Sequence, residues 1–86
     1  MKIQVTKKHI EKGKAKDCER CPIALAILEQ VPNCVSVDVT ELDICGCLNC
    51  GTAFDITIPR KASDFVVAFD NYRNVKPFEF ELELNQ

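Results

Sequence analysis

The chain has 86 residues, 47% of them apolar and 28% charged, with six cysteines, one histidine and a net charge of −2. This composition excludes a disordered tail, and the length allows one domain, residues 1–86, whose folding buries only about 60% of the surface its unfolded chain exposes. No run approaches the roughly 20 apolar residues of a membrane span, and the start "MKIQVTKKHIEKGK" lacks a signal peptide's apolar core, so the expected location is the cytoplasm, away from membranes.

"KIQVT" alternates Ile3 and Val5 with polar neighbours, the pattern of a half-buried strand. Thr6 follows as the cap of a short turn that ends at Gly13. "CPIALAILEQ" then reads as a helix: Pro22 suits its first turn, Ile23, Ala24, Ile27, Leu28 and Val31 recur at helical spacing, and Pro32 and Asn33 stop it. In "VSVDVTELDI" the apolar parity changes between Val39 and Leu42, which predicts one strand with a β-bulge near Thr40 and Glu41. "CGCLNCG", Cys45 to Gly51, is read as a loop. "FDITI" alternates again up to Pro59, "ASDFVVAFDNY" puts Phe65, Ala68, Phe69 and Tyr72 on one helical stripe, and "FEFELEL" points Phe78, Phe80, Leu82 and Leu84 inward.

The order β-α-β-β-α-β, with one apolar face per element, predicts an α+β domain. Its expected form is a four-stranded antiparallel sheet with two helices on one face, the ferredoxin-like arrangement, with a cysteine-rich metal-binding end. In that topology the loop entering the first long helix and the loop joining the two middle strands meet at one end of the sheet. Two C-x-x-C pairs, Cys18/Cys21 and Cys47/Cys50, with 25 residues between them, would converge there. Four thiolates about 2.3 Å from the ion are what a structural Zn²⁺ takes, and a two-residue spacer lets one tight turn aim two sulfurs at one point. Cys18, Cys21, Cys47 and Cys50 are therefore the expected metal ligands. The helix dipole is expected to favour the thiolate form of the first two. Cys45 is an alternative to Cys47 as ligand or a spare thiol, and Cys34, leading into a valine-rich strand, reads as a small hydrophobe. An iron–sulfur cluster is the alternative metal, a reduced thiol cluster the reading without one, and structural disulfides conflict with a reducing cytosol.

His9 lies among Lys7, Lys8 and Lys12 and reads as an exposed side chain; no nucleotide-binding or metalloprotease motif accompanies it. The expectation is a protein without catalytic activity that binds a macromolecular partner, a host protein being one such class. The alternative is a dithiol–disulfide oxidoreductase using Cys18 and Cys21 at the helix start. Nucleic acid is an unsuitable partner for the outer sheet face, where Asp38, Asp55, Glu79, Glu81 and Glu83 would repel phosphates and no aromatic residue offers a stacking surface. Residues 1–20 carry seven Lys/Arg against three Asp/Glu, so the positive charge sits at one end. A homodimer is compatible with the sequence.

The start "KIQVTKKHIEKG", the helix "CPIALAI" and the end "VKPFEFELE" resemble a group of small phage- and prophage-encoded proteins of unknown function. These open with a K-[IV]-x-V-T strand, carry C-P-[IV]-A-L-A on a helix and close with K-P-F-x-F. The resemblance covers about half the chain and implies a phage accessory protein in the host cytoplasm. It assigns no activity, and "CGCLNCG" is not typical of the group.

Overall fold

A computed structural model describes residues 1–83. Leu84, expected on the inner face of the last strand, lies outside the described residues. The elements run β1 (Lys2–Val5), α1 (Lys7–Lys12), α2 (Pro22–Gln30), β2 (Cys34–Val39), β3 (Asp43–Leu48), β4 (Ala53–Thr57), α3 (Arg60–Asp70) and β5 (Phe78–Glu81). The class is α+β with antiparallel sheets, as expected. The single four-stranded sheet is not seen: β1 pairs with β5, and β2-β3-β4 form a separate three-stranded sheet.

The difference originates at Thr40. The parity change there is a hairpin turn and not a bulge: Thr40 N–H donates to Asp43 C=O at 2.9 Å, and the Thr40 hydroxyl accepts from the Leu42 and Asp43 N–H groups at 3.1 and 3.0 Å. Both flanking segments are then strands, and Cys45 to Leu48 of the stretch expected as a cysteine loop fall in β3, which leaves only Asn49, Cys50 and Gly51 in a turn. The one irregularity in the β2–β3 register falls between Cys34 and Ser36, which leaves Val35 exposed.

The core joins the elements through Ile3, Val5, Ile23, Ile27, Ile44 and Leu82, none more than 1% exposed. On α3 the buried residues are Ala62, Phe65 and Val66, and Phe65 packs on Phe78 of β5 with ring centroids 4.7 Å apart. Tyr72, placed on that stripe by its spacing, lies beyond the end of α3 at φ 60° and is 76% exposed. The end of α1 closes on the start of α2 at Gly13, where a Cβ would stand 2.6 Å from Pro22 Cδ.

His9 corrects a second expectation, since it is 5% exposed. Its Nδ1 accepts from the Thr6 N–H at 2.9 Å and its Nε2 lies 3.2 Å from Glu29 Oε1, so the neutral ring with the proton on Nε2 satisfies both partners. With the Thr6 hydroxyl 3.1 Å from the same Nδ1, Thr6, His9 and Glu29 line up like a nucleophile, base and orienting acid. The lone pair a base would use is, however, held by a backbone N–H at the start of α1, which makes the ring a helix cap tied to α2.

Candidate metal centre on the outer face of the three-stranded sheet

Because β3 is a strand, its side chains alternate between the two faces. Ile44 points into the core, while Asp43, Cys45 and Cys47 share the outer face. The register sets Asp38 of β2 and Asp55 of β4 directly across from Cys45. One row of the sheet therefore reads carboxylate, thiol, carboxylate, with the Asp43 carboxylate beside it. One ligand atom from each of Asp43, Cys45 and Asp55 lies within 4.8 Å of the others, the only such group of three or more among the described residues.

The electrostatics of this row oppose a bare thiolate. Burial, then a hydrogen bond with Asp55, then the negative charge of Asp43, Asp55 and Asp38 push the Cys45 thiol pKa up. A divalent cation reverses that balance by neutralising the carboxylates and replacing the thiol proton. The donor set, one sulfur and two carboxylates, can hold a metal ion.

The structure does not gather the quartet Cys18, Cys21, Cys47 and Cys50. The Cys18 carbonyl accepts from Val39 N–H at 2.9 Å, which places the first pair at the C-terminal end of β2. Cys50 lies in the β3–β4 turn, beside the N-terminal end of β2, where Asn49 N–H donates to Asn33 C=O at 2.7 Å. The two ends are separated by the length of β2, about 17 Å at 3.3 Å per residue. The quartet would meet only if residues 45–50 formed the loop between the two middle strands, and the turn at Thr40 takes that position instead.

Each cysteine has its own surroundings. Cys47 donates to Leu48 C=O at 3.4 Å from the outer face, and Cys34 is half-buried against the core, in line with its reading as a small hydrophobe. Exposed Cys50 lies 3.1 Å from the Thr52 hydroxyl, and this hydrogen bond holds its pKa below the ordinary thiol value. Cys21 caps α2 by accepting from Ala24 N–H at 3.4 Å. The helix terminus alone would favour the thiolate there; burial outweighs the backbone hydrogen bonds and raises the Cys21 pKa from 9.0 to about 11.

That shift has a testable consequence. As pH rises above 9.0 the unfolded chain loses the Cys21 proton while the folded chain keeps it until about 11. The unfolded state then binds fewer protons, so stability falls through this window, by about 2–3 kcal/mol from this thiol alone. Cys21→Ser retains a capping oxygen and has no such titration. The difference between wild-type and Cys21→Ser stability, measured by urea unfolding, should therefore change across the window; a constant difference contradicts the burial of Cys21.

The sequence alone does not group Asp38, Asp43 and Asp55 with Cys45. The strand pattern gives the first and third as outer-face residues, but the cross-strand register that brings them together depends on the hairpin turn. The available signal is the alternation in "DICGCL", which puts Asp43, Cys45 and Cys47 on one parity. No protein-family model, curated protein or solved structure matches this chain.

Proposed function

We propose that this protein is a non-catalytic metal-binding module of the phage accessory type, resident in the cytoplasm, which binds one Zn²⁺ through Asp43, Cys45 and Asp55 and acts by engaging a protein partner. The observation that carries the metal reading is the convergence of one thiol and two carboxylates on adjacent strands. The sulfur favours zinc over magnesium or calcium, which select oxygen ligands. Three protein ligands leave a fourth tetrahedral position for water or for a group from a partner. The ligands sit on neighbouring strands of one sheet, so the ion braces the β3–β4 pairing, a structural role.

Supporting the non-catalytic reading, His9 has its Nδ1 lone pair engaged and Cys21 is held as a protonated cap. The same burial weakens the dithiol alternative, in which Cys21 would exchange electrons with Cys18. No helix among the described residues is long and apolar enough to cross a membrane.

The test is metal content after equilibrium dialysis against Zn²⁺. About one ion per chain is expected for the wild type, for Cys18→Ser and for Cys50→Ser. Cys45→Ser should retain almost none. Equal zinc in the wild type and Cys45→Ser would rule out this site.

A further inference from the structure

We propose that the free edge of β4, where it borders β5 across an acidic cleft, is a docking site for an extended basic segment of a partner protein, taken up as an added β-strand.

Two of the other outer edges, those of β1 and β2, are at least partly covered, while that of β5 faces the same cleft. Along β1, the Gln30 side chain accepts from Gln4 N–H at 2.8 Å and donates to Gln4 C=O at 2.7 Å, standing in for a neighbouring strand. Along β2, Val39 N–H is taken by Cys18 C=O at 2.9 Å. The β4 edge differs. Leu48 N–H donates to Thr52 C=O and Ile58 N–H to Leu42 C=O, which sets the parity of the β3–β4 ladder. In an antiparallel pair the intervening residues turn their N–H and C=O groups away from the partner strand, and here those residues are Ala53, Asp55 and Thr57. Among the described residues no backbone group pairs with them on the outer side.

The edge opens onto a cleft of about 460 Å³ lined by Asp55, Ile56, Thr57, Pro59, Glu81 and Glu83. Three of these are acidic and none is basic, although the N-terminal ammonium lies 3.5 Å from Glu81. The faces of the cleft differ: Asp55, Thr57 and Glu81 are exposed, whereas Ile56 on β4 and Phe80 on β5 belong to the core side. A strand laid against β4 would satisfy its free N–H and C=O groups, set Lys or Arg beside Glu81 and Glu83, and turn alternate apolar residues toward Ile56 and Phe80. A second copy of β4 is a poor occupant, because antiparallel pairing about its centre would oppose Asp55 to Asp55. Charge thus selects a basic segment of another protein.

This inference rests on the reading of the protein as a partner-binding module but not on its metal, so the test is run in chelator, where loss of metal binding and loss of docking are scored separately. The probe is a short acetylated and amidated peptide alternating lysine and valine. Saturable binding by calorimetry is expected, with slowed amide hydrogen exchange at Ala53, Asp55 and Thr57. The same peptide N-methylated at alternate residues, which cannot form the ladder, should bind at least about tenfold more weakly, the equivalent of one or two lost hydrogen bonds. Glu83→Lys should weaken binding at low salt and matter less at high salt. No binding, equal affinity for the methylated peptide, or slowed exchange confined to other strands would each overturn the proposal.

Discussion

Gly46→Ala is expected to lower the melting temperature by about 10–20 °C. Gly46 lies in the middle of β3 between Val37 and Phe54 in register, and the Phe54 ring covers it. A Cβ there would overlap Phe54 Cζ and stand 2.7 Å from Cε1 and 2.8 Å from the Ser36 carbonyl oxygen. The ring can swing away, but the carbonyl belongs to the neighbouring strand and cannot yield without disturbing the ladder. Overpacking of this kind costs about 1–3 kcal/mol and occasionally more, and 1 kcal/mol moves a domain of this size by roughly 4–8 °C. Against a total stability of about 4–13 kcal/mol at this length, the upper end is a severe loss. Combining Gly46→Ala with Phe54→Leu should recover part of it, because the smaller side chain vacates the contested space. Gly51 provides the contrast: its φ is 91° and nothing lies within 4 Å of the position a Cβ would take, so Gly51→Ala should cost only about 1–2 kcal/mol of backbone strain. A melting curve for Gly46→Ala that overlays the wild type would show that Phe54 does not pack over β3.

Zinc is expected to move the melting temperature upward on a similar scale. An ion at a hundred times its dissociation constant stabilises the folded state by about 2.7 kcal/mol when the unfolded chain does not bind it. At roughly 4–8 °C per kcal/mol, that is a rise of about 10–20 °C. The bound form needs the Cys45 thiolate, whose proton the neighbouring carboxylates help to retain, so binding releases a proton and the gain should shrink as pH is lowered. Cys45→Ser should show almost none of the rise, while Cys18→Ser and Cys50→Ser should show all of it. A full rise in Cys45→Ser would place the ion elsewhere.

Much of the fold is legible in the sequence because its signals are local. Ile3 and Val5 in β1, Phe78 and Phe80 in β5, and the stripe Ile23, Ala24 and Ile27 on α2 each follow the period of their element and face the core as that period requires. The end of α2 is legible in the same way: Pro32 cannot continue it, and Asn33 takes the left-handed conformation at φ 64°. The middle of the chain is not, because cysteine and glycine carry two meanings. In "CGCLNCG" they suggest a metal knuckle, yet Cys45, Gly46 and Cys47 form a strand whose inward position is a glycine filled by an aromatic ring from β4. Nothing within that stretch alone distinguishes the two; the Thr40 turn decides, through hydrogen bonds to residues two and three positions on.

The candidate site follows the same division. The cysteines are recognisable as metal-binding residue types, but which of them share a location depends on register across β2, β3 and β4. His9 and Cys21 depart from expectation for a related reason. Lysines around His9 suggest solvent, and a helix start suggests a reactive thiol. In each case packing against α2 or the core sets the environment.

The metal site is tested most simply by the absorption spectrum of the protein titrated with Co²⁺, a spectroscopic substitute for zinc whose bond to a thiolate gives a near-ultraviolet charge-transfer band. A metal bound at Asp43, Cys45 and Asp55 gives that band in the wild type and in the quadruple variant Cys18→Ser/Cys21→Ser/Cys47→Ser/Cys50→Ser, and the band is lost in Cys45→Ser. A band that survives in Cys45→Ser and disappears from the quadruple variant would contradict the site on the sheet face and return the metal to the two C-x-x-C pairs.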